Sequence, residues 1–260
     1  MTKLYRKNET AFAVAWIVIY VAGTGLAETL SAVTGMFKLF PAAFHIALAV
    51  YGCAWVKRNG LTEKYGLFPP RYRISRAWFF LPLILIAGYK LYFSPALRFS
   101  PSDAALFAAS MICVGFLEEL IFRGFLFRAM EKENMPRAIT VSAVTFGIGH
   151  IVNLLGGQSL PETATQIVFA VIVGFALVVL FYRGGSLIPC IVFHGVFNSL
   201  SVFFNEEAQF RALGGQAAAA VILIAAGAIV LGAYTLWNWK HLEEAGDRET
   251  EQGGHTHGTV

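Results

Sequence analysis

Glu118, Glu119 and Arg123 stand in an otherwise apolar run, VGFLEELIFRG. His150 closes FGIGH, and His194 and Asn198 are the two ends of HGVFN. A carboxylate beside an imidazole can take a proton from water. Two donors one helical turn apart can hold the charge that builds on an attacked carbonyl oxygen. These are the group types of an acid–base hydrolysis. On a helix, Glu118 and Glu119 point about 100° apart and do not share one target equally. Glu119 and Arg123, four apart, share a face and suit an ion pair that neutralises both. Glu118 is thereby left without a local partner and free for proton transfer. His150 has Asn153 three residues on, nearly on its own face, while His194 and Asn198 share a face and can donate to one ligand atom.

The elements that must carry these groups are membrane spans. The chain has 260 residues, is 57% hydrophobic and 14% charged, and has a mean hydropathy of +0.61. A soluble domain carries about a quarter charged residues. Eight stretches approach the roughly 20 apolar residues that a span needs: about 10–31, 37–56, 77–93, 104–128, 137–155, 164–182, 185–204 and 216–238. The expected fold is all-α, a polytopic membrane protein of about eight transmembrane helices around a polar intramembrane cavity. It reads as a single integral membrane domain over 1–260, with a core at about 104–204. The polar tail 243–260 reads as a disordered cytoplasmic segment. Pro41, Pro82 and Pro189 fall within or near span ends, which membrane helices tolerate.

The net charge of +4 sits in a few loops and gives little support to nucleic-acid binding. Cys53, Cys113 and Cys190 lie in or beside apolar runs, as small hydrophobes rather than a disulfide framework. The basic start and first apolar stretch resemble a signal peptide, but the length of that stretch and the spans that follow favour a retained helix. Lys and Arg alternate between loops in the way that eight spans with both termini cytoplasmic require: Lys3, Arg6 and Lys7; Lys57 to Arg76; Arg128, Lys132 and Arg137; Arg183; Lys240 and Arg248. Lys90, near the end of a span, is expected to snorkel outward.

Measured from these basic anchors at about 1.5 Å per residue, Glu118, His150 and His194 lie roughly 15, 20 and 16 Å deep. Three spans thus place acid and imidazole groups at one level, as a single cavity requires. Gly147 and Gly149 allow a neighbouring helix to approach. Glu28 and His45 are isolated and read as helix–helix partners, and His255 and His257 belong to a solvated tail.

The three motifs in order resemble those of the CPBP intramembrane proteases (the CAAX-protease and bacteriocin-processing, or ABI, family), which include the Ras-converting CAAX endopeptidase. EELIFRG is similar to E-E-x-x-x-R, FGIGH to F-x-x-x-H and HGVFN to H-x-x-x-N/D, over about residues 104–204. The resemblance implies that Glu118 and His150 activate water, that His194 and Asn198 stabilise the oxyanion, and that Glu119 and Arg123 shape the site. It implies a glutamate-type endopeptidase without a metal. A zinc-dependent version with Glu118, His150 and His194 as ligands stays open, although no H-E-x-x-H is present. The implied substrate is a membrane-associated peptide or protein segment, lipidated or a leader or C-terminal sorting segment. The other partner is the lipid bilayer, in a prokaryotic plasma membrane. Two other readings use the same residues: a non-catalytic peptide-binding or bacteriocin self-immunity protein, and a proton- or ion-coupled carrier.

Overall fold

The computed structural model describes residues 1–70, 80–97, 99–154 and 156–242. All regular structure among them is helical: α1 (Thr2–Lys7), α2 (Glu9–Thr34), α3 (Leu39–Arg58), α4 (Leu81–Gly88), α5 (Pro101–Glu118), α6 (Arg128–Met130), α7 (Met135–Gly149), α8 (Leu160–Gly184), α9 (Ile188–Ser199), α10 (Glu206–Leu213) and α11 (Gln216–His241). A π-helix, Glu119–Phe127, joins α5 to α6 without a break, and short 3-10 turns extend α4, α7 and α9.

The ends are written in local chemistry. Asn8, Ser100, Asn134, Ser159 and Asn205 each accept a backbone N–H in the first turn of the helix that follows, as N-caps do. Ser159 and Glu162 form a full capping box. Pro82 and Pro189 lie at the starts of α4 and α9, where proline sacrifices no helical hydrogen bond. Gly185 ends α8 in the left-handed conformation.

Six helices among the described residues are long and apolar enough to cross a membrane, and seven if a bent pair counts as one span. The chain is an integral membrane protein of the expected all-α class, and the described residues show six or seven of the expected eight spans, the difference lying at two places. The expected 77–93 span begins outside the described residues, and Leu81–Leu91 by itself is too short. The expected 185–204 span is Ile188–Phe203, after which the chain turns by 88° into α10. Asn205, Glu206 and Glu207 explain the turn: they open a new polar helix with its own cap. Residues 243–260, Arg98 and the 71–79 part of the basic loop also lie outside the described residues.

Two apolar clusters hold the bundle. One gathers Phe127, Leu177, Phe181 and Leu231 around α8 and α11. The other gathers Phe12, Trp16, Trp55 and Phe125 where α2 and α3 meet the π-helix. Large apolar side chains also point outward, Val33 at 80% exposure and Ile229 at 72%, as expected of helices whose solvent is hydrocarbon.

Candidate active site

The site begins with two glycines. A Cβ on Gly115 would lie 2.5 Å from the backbone nitrogen of Gly195, so α5 and α9 touch backbone to backbone there. One residue before Gly195 stands His194, and three residues after Gly115 stands Glu118. The close approach therefore brings imidazole and carboxylate together. Gly147 does the same for α7 and α8: its Cβ would meet Val171 at 2.3 Å. Gly149 meets nothing nearer than 3.9 Å and is not needed for packing in this way.

Glu118 is the last residue of α5 and Glu119 the first of the π-helix. The two carboxylates straddle one ring. His194 Nδ1 lies 2.8 Å from Glu119 Oε1, and Nε2 lies 3.3 Å from Glu118 Oε2. Arg123 Nη1 donates to the same Glu119 oxygen at 3.1 Å, and both side chains are fully buried. The guanidinium also donates to the Gly174 carbonyl at 3.4 Å and lies 4.2 Å above the Phe146 ring. Ser142 of α7 donates to the Phe122 carbonyl at 2.9 Å, inside the π-helix. That neighbour's donor serves a carbonyl where the helical register is altered, a usual setting for such a register near a site.

Both His194 nitrogens thus face carboxylate oxygens. A neutral imidazole has one N–H and can donate to one of them, whereas the imidazolium donates to both.

His150 follows the last residue of α7, with Nδ1 3.2 Å from the Phe146 carbonyl. A carbonyl only accepts, so Nδ1 carries the hydrogen and Nε2 is left as an acceptor. Glu118 and His150 line one cavity of about 80 Å³ with Tyr20, Thr24, Phe146 and Asn153, room for roughly two or three waters at ~30 Å³ each. No direct hydrogen bond joins Glu118 to His150. Asn153 also donates to Gln166 at 2.9 Å.

Of the six motif residues, the structure brings together Glu118, Glu119, Arg123 and His194, and places His150 across the cavity from this cluster. Asn198, one turn beyond His194, does not line that cavity. Sequence reasoning missed Tyr20, whose hydroxyl donates to Glu118 Oε1 at 2.7 Å. Its only signal was a Tyr–Thr pair four apart in an apolar helix. Glu28 and His45 are helix–helix partners as expected. Glu28 pairs with Lys38 at 2.5 Å, and His45 lies between Thr24 at 3.0 Å and Ser110 at 2.9 Å. Lys90 departs from the expectation. It is buried and points inward, donating to the Phe197 carbonyl at 2.9 Å and to Ser201.

The three zinc candidates do not converge. Both nitrogens of His194 are turned to carboxylates, and only one nitrogen of His150 offers a lone pair. Among the described residues no group of three or more His, Cys, Asp or Glu is placed to hold a metal ion.

Residues 100–200 match the family described as type II CAAX prenyl endopeptidase Rce1-like. Over this segment the chain is similar to the CAAX-protease (CPBP) family. Neither the curated proteins nor the solved structures give a match. All six motif residues lie inside the segment matched to the CAAX-protease family, whereas Tyr20, Thr24 and His45 lie outside it. The fold is that of an integral membrane protein, and residues 100–200 of it are similar to a family of proteases.

Proposed function

We propose that the protein is a glutamate-type intramembrane endopeptidase in which Glu118 and His150 activate water. The observation that carries this reading is the small cavity lined by both groups, which no bond between them closes. A water there faces two acceptors, the Glu118 carboxylate and His150 Nε2. Donating to both leaves its lone pair free to attack. Glu118 takes the proton as the oxygen bonds to the scissile carbonyl carbon, and the tetrahedral oxyanion forms. The His194–Glu118 contact is the longer of the two that His194 makes. It is the one to yield, so that Nε2–H turns to the oxyanion; Asn198, which the family resemblance makes a second donor, lies outside the cavity lining and is assigned no contact in this step. Glu118 then passes the proton to the leaving nitrogen and the C–N bond breaks. Glu119 and Arg123 hold His194 from the far side.

No step is assigned to a metal. The substrate is an extended segment of a membrane-associated protein, since a closed helix hides its carbonyls, and the family's description makes a prenylated C-terminus the first class to test. Both termini are cytoplasmic on this reading, which the alternation of Lys and Arg supports. That assignment needs an even number of crossings.

The test is cleavage of a farnesylated CAAX peptide, together with peptidomics of membranes from cells carrying wild-type, Glu118→Ala, Glu118→Gln or His150→Ala protein. All three variants are expected to fold and to lose the products. An alanine variant that processes normally sinks the reading, and full biological activity of Glu118→Gln points to a non-catalytic binding protein.

A further inference from the structure

We propose that Tyr20, on α2 and outside the segment matched to the CAAX-protease family, is a positioning residue of the active site that fixes the plane of the Glu118 carboxylate. The proposal rests on the role assigned to Glu118 above. The Tyr20 hydroxyl donates to Oε1 at 2.7 Å, while the other oxygen, Oε2, has among the described residues only the 3.3 Å contact with His194. A carboxylate offers about four lone-pair sites. One donor on each oxygen locks its rotation and leaves sites for the water and its proton. Without Tyr20, the base hangs on one long contact that the mechanism itself requires to break.

The tyrosine is in turn held in place. Its ring lies 5.9 Å from that of His45, and His45 is fixed between Thr24 of α2 and Ser110 of α5. Both His45 and Ser110 are buried. A polar chain through α2, α3 and α5 therefore sets the position of the Tyr20 ring. Tyr20 and Thr24 also line the cavity that contains Glu118 and His150. A tyrosine that merely joined helices would be as well served by a backbone carbonyl. This one is aimed at the single carboxylate that borders the cavity.

The test uses full-length protein in lipid nanodiscs with Tyr20→Phe, which keeps the ring, and with 3,5-difluorotyrosine at position 20, which keeps a hydroxyl. A misdirected base costs roughly 10- to 100-fold in rate. On a farnesylated CAAX peptide, or a substrate found by peptidomics, Tyr20→Phe is expected to lower kcat by about that factor with KM and thermal stability near wild type. Difluorotyrosine is expected to restore kcat. Wild-type kcat in Tyr20→Phe beside an inactive Glu118→Ala overturns this proposal alone, and so does a loss confined to KM or stability. Cleavage by Glu118→Ala overturns the hydrolytic reading instead. A second readout needs no turnover. In isotope-edited infrared spectra, the carboxylate band that vanishes in Glu118→Ala should move in Tyr20→Phe. An unmoved band overturns the proposal.

Discussion

Two ionisable groups are buried against α9, and the helix uses them differently. His194, in its middle, lies between two carboxylates and is backed by Arg123. Lys90, at its far end, has no carboxylate within ion-pair distance among the described residues. It caps the Phe197 carbonyl and Ser201 and lies 4.0 Å above the Phe197 ring. The lysine thus serves a helix terminus, whose last carbonyls lack partners, just before the chain turns away. Around His194 the groups serve one another, and one of them, Glu118, keeps acceptor capacity turned to a cavity. A buried charge in a membrane helix is therefore not a sufficient sign of chemistry. The distinguishing feature is a second acid–base partner: Glu118 shares its cavity with His150, whereas the cavity of about 340 Å³ that Lys90 borders has no imidazole in its lining.

The comparison can be broken most sharply by activity. Glu118→Ala should reduce cleavage by at least about 100-fold, whereas Lys90→Met should leave the rate per folded molecule unchanged. Equal losses in the two would erase the distinction. Stability comes next. Arg123→Met strands a buried Glu119 and should cost about 3–5 kcal/mol in thermal or denaturant unfolding, and adding Glu119→Leu should recover part of that. Gly115→Ala should cost about 1–3 kcal/mol. It should also impair cleavage, because the α5–α9 contact that joins Glu118 to His194 must open. Lys90→Met leaves a helix end without its donor and should cost about 1–3 kcal/mol.

The smallest effect belongs to a water-exposed ion pair, the control for both buried regions. Lys64 donates to Glu9 at 2.5 Å and to Tyr5 at 3.0 Å. Burial works against its charge, but these partners outweigh that and raise its pKa above the ordinary lysine value. Its stabilisation is therefore complete below the unfolded value of about 10.4 and is lost as pH rises through the higher folded value. More than a quarter of its side chain is open to solvent, and Lys64→Ala should cost less than about 1 kcal/mol at neutral pH. A cost as large as that of Arg123→Met would show that burial does not separate these sites.

The sequence by itself determined the all-helical membrane class, the helix ends and the Glu119–Arg123 pair. Each depends on neighbours in the chain: hydropathy over some twenty residues, a cap beside its helix, and two side chains one turn apart. Six motif residues were legible through spacing and family resemblance. Tertiary structure alone decided that Glu118 meets His194 and Tyr20 rather than His150 directly, because those contacts join residues 76 and 98 positions apart, the first of them through a glycine–glycine contact that no periodicity announces. It also decided the π register after Glu118, since the Ser142 donor and the Phe146 ring beneath Arg123 come from another helix. The direction of Lys90 was decided in the same way. Snorkelling is the choice of a lysine with only lipid beside it, and this one has the open carbonyls of α9 within reach.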